Sequence, residues 1–221
     1  MEKMLNTVRL IGITKPSESI CHTADELIAY TARVSNPGNQ NNPETAPKLL
    51  KYLIENDHWS PFEMVSATLE ITTTRDISRQ IIRHRSFSFQ EFSQRYAVAS
   101  DYETREARLQ DSKNRQNSIP TDDVRLQESW NMQQMKVINA SKEVYEWALK
   151  NDIAKEQARA VLPEGNTLTT LYMAGNLRSW IHYCGLRRGN GTQLEHQQIA
   201  DKCWNILSEH FRSIKLAVED I

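Results

Sequence analysis

Met64-Val65-Ser66-Ala67-Thr68-Leu69-Glu70-Ile71-Thr72-Thr73-Thr74 alternates with a period of two. Val65, Ala67, Leu69 and Ile71 share one face and Ser66, Thr68, Glu70 and Thr72 the other, the pattern of a half-buried strand. At Arg75 the spacing switches to that of a helix, predicted to run to Arg85. A strand that feeds directly into a helix reads as part of an α/β domain, and the flanking chain extends the pattern on both sides.

Upstream, Thr7 to Thr14 is rich in β-branched residues and reads as a strand. Thr23 and Glu26 make a capping box ahead of a helix to about Val34, and a second helix starts near Thr45 with Pro47 in its first turn. Between that helix and the alternating strand lies the turn His58-Trp59-Ser60-Pro61-Phe62-Glu63. Downstream, Ser86 to Phe92 reads as irregular, Ser93 to Ala99 as a strand, and the polar stretch Ser100 to Pro120 as a long surface excursion. Asp122 to Lys150 is a long helix whose buried side is marked by Val137, Ile138, Val144, Tyr145 and Ala148. A short helix, Ile153 to Leu162, stops at Pro163. Thr167 to Ala174 reads as a strand and Asn176 to Arg187 as a helix. Gly189 and Gly191 break the chain. Thr192 and Glu195 suggest a second capping box before a final helix with Ile199, Cys203, Ile206, Leu207 and Phe211 on its face. No segment has the composition of a linker, so residues 1–221 read as a single helix-rich domain.

Lys plus Arg is 27 and Asp plus Glu is 28, a formal charge of 27 − 28 = −1. That balance disfavours a nucleic-acid binder. No apolar run approaches the ~18 residues of a membrane span, and the first residues, Met1 to Asn6, lack the apolar stretch of a secretory signal. Cys21, Cys184 and Cys203 are scattered, which reads as reduced thiols in a cytoplasmic protein. The six histidines show no metal-ligand spacing, so no metal site is expected.

The neutral average hides one basic stretch. Arg75, Arg79, Arg83, Arg85 and Arg95, with His84, face only Asp76 and Glu91 between Arg75 and Tyr96. On a helix Arg79 and Arg83 would be i,i+4 neighbours, with Gln80 and His84 on an adjacent face. Guanidinium groups offer planar, paired donors to phosphate or carboxylate. Ser86, Ser88 and Ser93 add hydroxyls, and Phe87, Phe89 and Phe92 add rings that can stack on a flat heterocycle. Taken alone, the pattern equally fits a solvated basic face beside core aromatics.

Arg83-His84-Arg85-Ser86-Phe87-Ser88-Phe89-Gln90-Glu91-Phe92-Ser93-Gln94-Arg95-Tyr96 resembles the signature R-H-R-x-x-S-x-N-E-x-S-x-R-Y of the flavin-dependent thymidylate synthases. The one departure at a fixed position is Gln90 for Asn. His58 to Glu63 resembles the family's H-x-T/S-P-F-E turn, and Glu156 to Pro163 its E-x-A-R-x-V-L-P segment. Asn176 to Ser179 resembles N-x-R-S, and Leu186-Arg187 with Gln193-x-Glu195 resembles L-R…Q-x-E.

The resemblance implies an α/β (α+β) fold with a central, mainly antiparallel sheet. It implies reductive methylation of dUMP to dTMP, with methylenetetrahydrofolate as carbon donor, FAD as hydride carrier and NADPH as reductant. It also implies a homotetramer whose sites are shared between subunits. Carried over residue by residue, the dUMP contacts are Gln80, Arg83, Glu91, Phe92, Ser93, Gln94, Arg95, Arg159 and Arg187. The FAD contacts are Ser60, Arg83, His84, Arg85, Glu91, Asn176, Arg178 and His182, and His58 lies near flavin and folate. Arg187 is the catalytic expectation, stabilising the uracil ring as its N3 proton leaves.

Overall fold

The computed structural model describes residues 6–17, 19–189 and 191–219. Residues 1–5, read above as lacking a secretory stretch, and Asn190 of the glycine break lie outside them. Four strands form the main sheet: β1 (Thr7–Ile13), β2 (Ser66–Thr74), β3 (Ser88–Glu91) and β6 (Leu168–Asn176). Their order is β1-β2-β6-β3 and every pair is antiparallel. A separate hairpin pairs β4 (Arg108–Gln110) with β5 (Ser118–Pro120).

The alternating stretch lands as read. Ala67, Leu69 and Ile71 are buried, and opposite them β6 offers Gly175, Met173 and Leu171 in register. Leu69, Ile71, Leu171 and Met173, each fully buried, contribute about 1.5–3 kcal/mol of transfer free energy apiece. The other sheet face is polar, with Arg9 paired to Glu70 at 2.9 Å and Thr72 to Thr170 at 3.0 Å.

The core is completed by α1 (Ala24–Ala32), α2 (Ala46–Glu55), α3 (Arg75–Ile81), α6 (Leu177–Arg187), α7 (Leu194–His210) and α8 (Arg212–Glu219). Thr23 caps α1 by accepting from the Glu26 amide at 3.2 Å, while Glu26 reaches back to the His22 amide at 2.8 Å. At the end of α2, Asp57 adopts φ 58°. The amide of His58 then bonds the Leu53 carbonyl at 2.8 Å, and that of Asp57 bonds Ile54 at 3.2 Å. This pair of bonds closes the helix and aims the next turn, Ser60–Met64, across α6.

Several expectations are corrected. The helix from Arg75 ends at Ile81, because successive three-residue turns (Arg83 N to Gln80 O, His84 N to Ile81 O) swing the chain into β3. Arg79/Arg83 and Gln80/His84 therefore form no helical face; Arg75 and Arg79 do. Ser88–Glu91, read as irregular, is the edge strand β3, whereas Ser93 to Ala99 is a turn in which the Tyr96 and Ala97 amides both bond Ser93 O. Within the polar 100–120 excursion sits the β4–β5 hairpin. Side-chain amides anchor the chain before and at the hairpin: Gln134 exchanges bonds of 2.9 and 2.8 Å with the Arg105 backbone, and Gln127 does the same for Ala107 at 2.7 and 3.0 Å.

Those amides come from α4 (Val124–Lys150), whose buried stripe is Gln134, Ile138, Ser141, Tyr145 and Ala148. Val137 and Val144, read as buried, are 54% and 47% exposed. The stripe packs on the short helix α5 (Lys155–Ala158) and on Ala99 and Leu162, forming a small second core. The capping box at Thr192 does not form, since α7 starts at Leu194 and Glu195 is drawn instead to Arg108. The final helix breaks at Phe211 into α7 and α8; Cys203 is fully buried, as read.

Candidate active site

The residues singled out above fall into three clusters plus a signature loop. The first cluster is a cleft of about 410 Å³ between α3 and the 156–164 segment. Arg75, Arg79, Gln94, Glu156, Arg159 and Glu164 line it. Glu91, on β3, is gripped beside it: its Oε1 accepts from Ser78 Oγ at 2.8 Å and Thr169 Oγ1 at 3.2 Å, and its Oε2 from Arg79 at 3.2 Å. Arg95 pairs with Glu156 at 3.2 Å at the surface.

The second cluster is a polar chain through the packed interior of α3, α6 and α7. Gln80 donates to Gln193 Oε1 at 2.7 Å, Gln193 donates to Glu195 Oε2 at 3.0 Å, and Arg108 closes on Glu195 Oε1 at 2.5 Å. Burial would raise the Glu195 carboxyl, but the Arg108 hydrogen bond and neighbouring charge carry it below its usual value. On the other side of Gln80, its Oε1 lies 3.3 Å from His196 Nδ1, and His196 Nε2 lies 3.1 Å from the Tyr183 hydroxyl. His196 is fully buried, and burial aided by Arg187 and His84 pushes its pKa down to about 3. Beside it Arg187 Nε donates to His84 Nε2 at 2.8 Å, and the His84 ring stands edge-on to Tyr183 at 4.9 Å. Burial and then the Arg187 charge lower the His84 pKa, so the imidazole is neutral at pH 7 and accepts that bond.

The third cluster joins the Ser60–Met64 turn to the start of α6. Arg178 bonds Glu63 at 2.5 Å, and His182 lies against Trp59 with ring centroids 4.4 Å apart. Asn176 caps α6 by accepting from the Ser179 amide at 2.9 Å. His58 is exposed, edge-on to Tyr52 at 6.0 Å. Burial and then Arg178 lower the His182 pKa.

Arg83, Arg85, Phe92 and Ser93 sit on the exposed loop around β3. Among the described residues, the Arg83 and Arg85 side chains make no hydrogen bond or ion pair. Among the described residues no hydrogen bond or ion pair links the first cluster to the second, although Arg79 and Gln80 are adjacent in the chain. Reading the signature alone missed Arg75, Tyr183, His196 and Arg108. For Arg75 a signal existed: it sits four residues before Arg79 on a helix that starts at Arg75 itself.

A family model described as "Thymidylate synthase complementing protein" matches residues 18–211. The chain is 51% identical over 214 residues to a probable flavin-dependent thymidylate synthase of Paramecium bursaria Chlorella virus 1, covering 96% of this chain and 99% of that one. It is 52% identical over 215 residues to a flavin-dependent thymidylate synthase of Synechocystis sp., with the same 96% and 99% coverage. Among solved structures, the UMP/dUMP methylase PolB of Streptomyces cacaoi, bound with 5-Br dUMP, superposes with a TM-score of 0.84 at 24% identity. That likeness covers 98% of this chain and 95% of the other, and speaks to the fold.

Proposed function

This chain belongs to the flavin-dependent thymidylate synthases, and we propose that its three clusters are parts of one dTMP-forming site completed between subunits. The reaction is reductive methylation of dUMP, with methylenetetrahydrofolate giving the carbon, FAD carrying the hydride and NADPH reducing the flavin. When bound, FAD supplies the redox chemistry; the chain's own residues bind, orient and hold charge.

The Arg187–His84 hydrogen bond is the observation that carries this reading. A guanidinium stays cationic throughout, and the neutral imidazole fixes its plane through Nε while leaving both terminal nitrogens for a ligand. Such a group suits the developing anion of a uracil ring losing its N3 proton. A thiolate route has little support. All three cysteines are buried, burial pushes Cys184 up to about 12, and it raises Cys203 and Cys21 as well.

Arg95, Ser93, Gln94 and Arg159, with Glu91 and Phe92 beside them, would hold the phosphate and sugar of dUMP from the first cluster. Gln80, Arg83 and Arg187 would approach the base from the second. For FAD, the donor set fits a pyrophosphate: among the described residues Arg83 and Arg85 carry unpaired guanidiniums, and Arg178 sits in the first turn of α6, where helix amides favour an anion. Ser60, His84, Glu91, Asn176 and His182 would complete the cofactor contacts, with His58 at the flavin and folate edge.

A homotetramer is supported by α4. Along its length Trp130, Met132, Met135, Val137, Val144 and Trp147 are left exposed by 40–59%. Among the described residues no helix is long and apolar enough to cross a membrane, and the three free thiols suit the reducing cytoplasm. A single 1–221 domain with no nucleic-acid partner completes the reading. The test is dTMP formation from dUMP, methylenetetrahydrofolate and NADPH with and without FAD. Undiminished turnover by rigorously flavin-free protein would sink it.

A further inference from the structure

One buried carboxylate sets the direction of every hydrogen bond in the chain through the second cluster. Glu195 is 7% exposed and receives Arg108 on Oε1 and Gln193 on Oε2. Burial opposes its ionisation, but the Arg108 hydrogen bond and charge hold it below the usual carboxylate range, so both oxygens only accept. Gln193 must then turn its Nε2 to Glu195 and keep its Oε1 for Gln80. Gln80 in turn must donate through Nε2, which leaves its Oε1 as the acceptor facing His196 Nδ1 at 3.3 Å. His196 is therefore the Nδ1–H tautomer, and its Nε2 accepts from the Tyr183 hydroxyl at 3.1 Å. The chain runs one way, from Tyr183 to Glu195, and both of its ends are buried.

Gln80 is a half-buried link in this chain. Each end of its amide has one bond engaged and one left, an N–H on Nε2 and a lone pair on Oε1. Among the proposed base contacts Arg83 and Arg187 only donate, so Gln80 alone offers an acceptor. Uracil presents an N3–H donor beside the O4 acceptor. Cytosine presents the N3 acceptor beside an amino donor. An amide whose two ends are fixed matches one of these edges and sets like groups against the other. Turning the amide over reverses the preference.

We propose that Glu195, clamped by Arg108 from strand β4, is a positioning residue that fixes the Gln80 amide through Gln193 and so makes the site select uracil over cytosine. The proposal rests on the dUMP reading above and adds a specificity determinant to it. Glu195→Gln should invert the chain. The new amide must keep its oxygen on Arg108, since a donor turned on a guanidinium leaves both groups unmet. Its nitrogen then faces Gln193, which turns over to accept. Gln80 turns over in sequence, and His196 carries its hydrogen on Nε2 and donates to Tyr183. Every link keeps one donor and one acceptor, and only the Tyr183 hydroxyl hydrogen loses its acceptor.

The test pairs the tautomer of His196 with the base preference of the site, in the FAD-loaded parent and in Glu195→Gln. Heteronuclear NMR of protein labelled at its histidine ring nitrogens reads the tautomer, with the His196 signals assigned by their absence in His196→Leu. The hydrogen should sit on Nδ1 in the parent and on Nε2 in the variant. Calorimetric titration with dUMP and dCMP should show the dUMP-to-dCMP affinity ratio falling about ten- to hundredfold in the variant. Flavin content and oligomer mass should stay at parental values. An Nε2–H tautomer in the parent overturns the proposal, and that spectrum decides even where the variant does not fold. An unchanged ratio in a folded variant, with both affinities parental or lowered alike, overturns it too and leaves Glu195 a structural anchor. If the parent binds no dUMP, the dUMP reading fails by itself and the selectivity with it, whereas the tautomer switch still decides whether Glu195 directs the chain.

Discussion

Replacing His196 by leucine separates a buried hydrogen-bond relay from a merely filled space. Gln80 gives its Nε2 to Gln193, so its Oε1 is the acceptor and His196 Nδ1 must carry the hydrogen. His196 Nε2 then accepts from the Tyr183 hydroxyl, and the ring is neutral. Its folded pKa, about 3 against an ordinary 6.5, lies below the unfolded value. Between those values the unfolded chain binds the extra proton, so the stability from this histidine is complete above about pH 6.5 and is lost as pH falls towards 3. At 1.36 kcal/mol per unit, acidification to pH 5 removes about 2 kcal/mol of it. His196→Leu abolishes that titration and leaves the Tyr183 hydroxyl and Gln80 Oε1 unpaired, at about 1–3 kcal/mol each. Urea unfolding at matched protein concentration should therefore show the variant several kcal/mol less stable at pH 7.5. At pH 5 the gap should be narrower by about 2 kcal/mol. A gap of the same size at both pH values would refute the neutral, relay-bound histidine.

Arg187→Ala should lower single-turnover dTMP formation by about 10²–10³ with flavin content retained, and Lys should rescue only part, because the fork is lost; a near-parental rate would return Arg187 to the status of a helix-end charge. At Gly175 an added Cβ would stand 2.4 Å from Phe87 Cδ1, and Trp180 at 4.8 Å between centroids backs that ring. Gly175→Ala should cost about 1–3 kcal/mol in thermal unfolding, partly recovered by Phe87→Leu, and an unshifted midpoint counts against the packing argument. Trp147→Glu, on the outward face of α4, should shift the native mass to smaller assemblies, and an unchanged mass would place the subunit contact elsewhere.

Most of the fold was legible where one pattern answered to one environment. The 64–74 alternation and the Thr23 cap are local signals with local causes. The long helix α4 was legible in extent and, through Ile138, Tyr145 and Ala148, in the direction of its buried stripe, but not in the full make-up of that stripe. Its buried positions include Gln134 and Ser141, because the 103–107 segment and Val161 need side-chain partners there. Apolar residues such as Val137 and Val144 face outward instead. A reading that sends every apolar residue to the core overfills a stripe in which polar side chains hold two of the places. The edge strand β3 is four residues long and is defined by its partner β6, a long-range fact. The signature supplied most candidate residues but not their grouping, since the point where α3 stops decides which arginines share a face.

That grouping makes the strongest case for a composite site. Arg79 and Gln80 are neighbours on α3, yet one turns to Glu91 and the cleft and the other to Gln193. The proposed phosphate contacts and the proposed base contacts thus leave the helix on different sides. If one dUMP meets both sets, the second set must come from another subunit. Mixing inactive Arg187→Ala chains with inactive Arg159→Ala chains tests this directly. In a symmetric assembly each site draws Arg187 from one chain and Arg159 from its partner. Random exchange should then produce intact sites in about a quarter of positions, and activity should rise to about that fraction of the parent. If a single chain supplied both residues, every site in the mixture would carry one defect. Activity that stays at the level of the separate variants, with subunit exchange demonstrated by mass, would place both arginines in one chain's site.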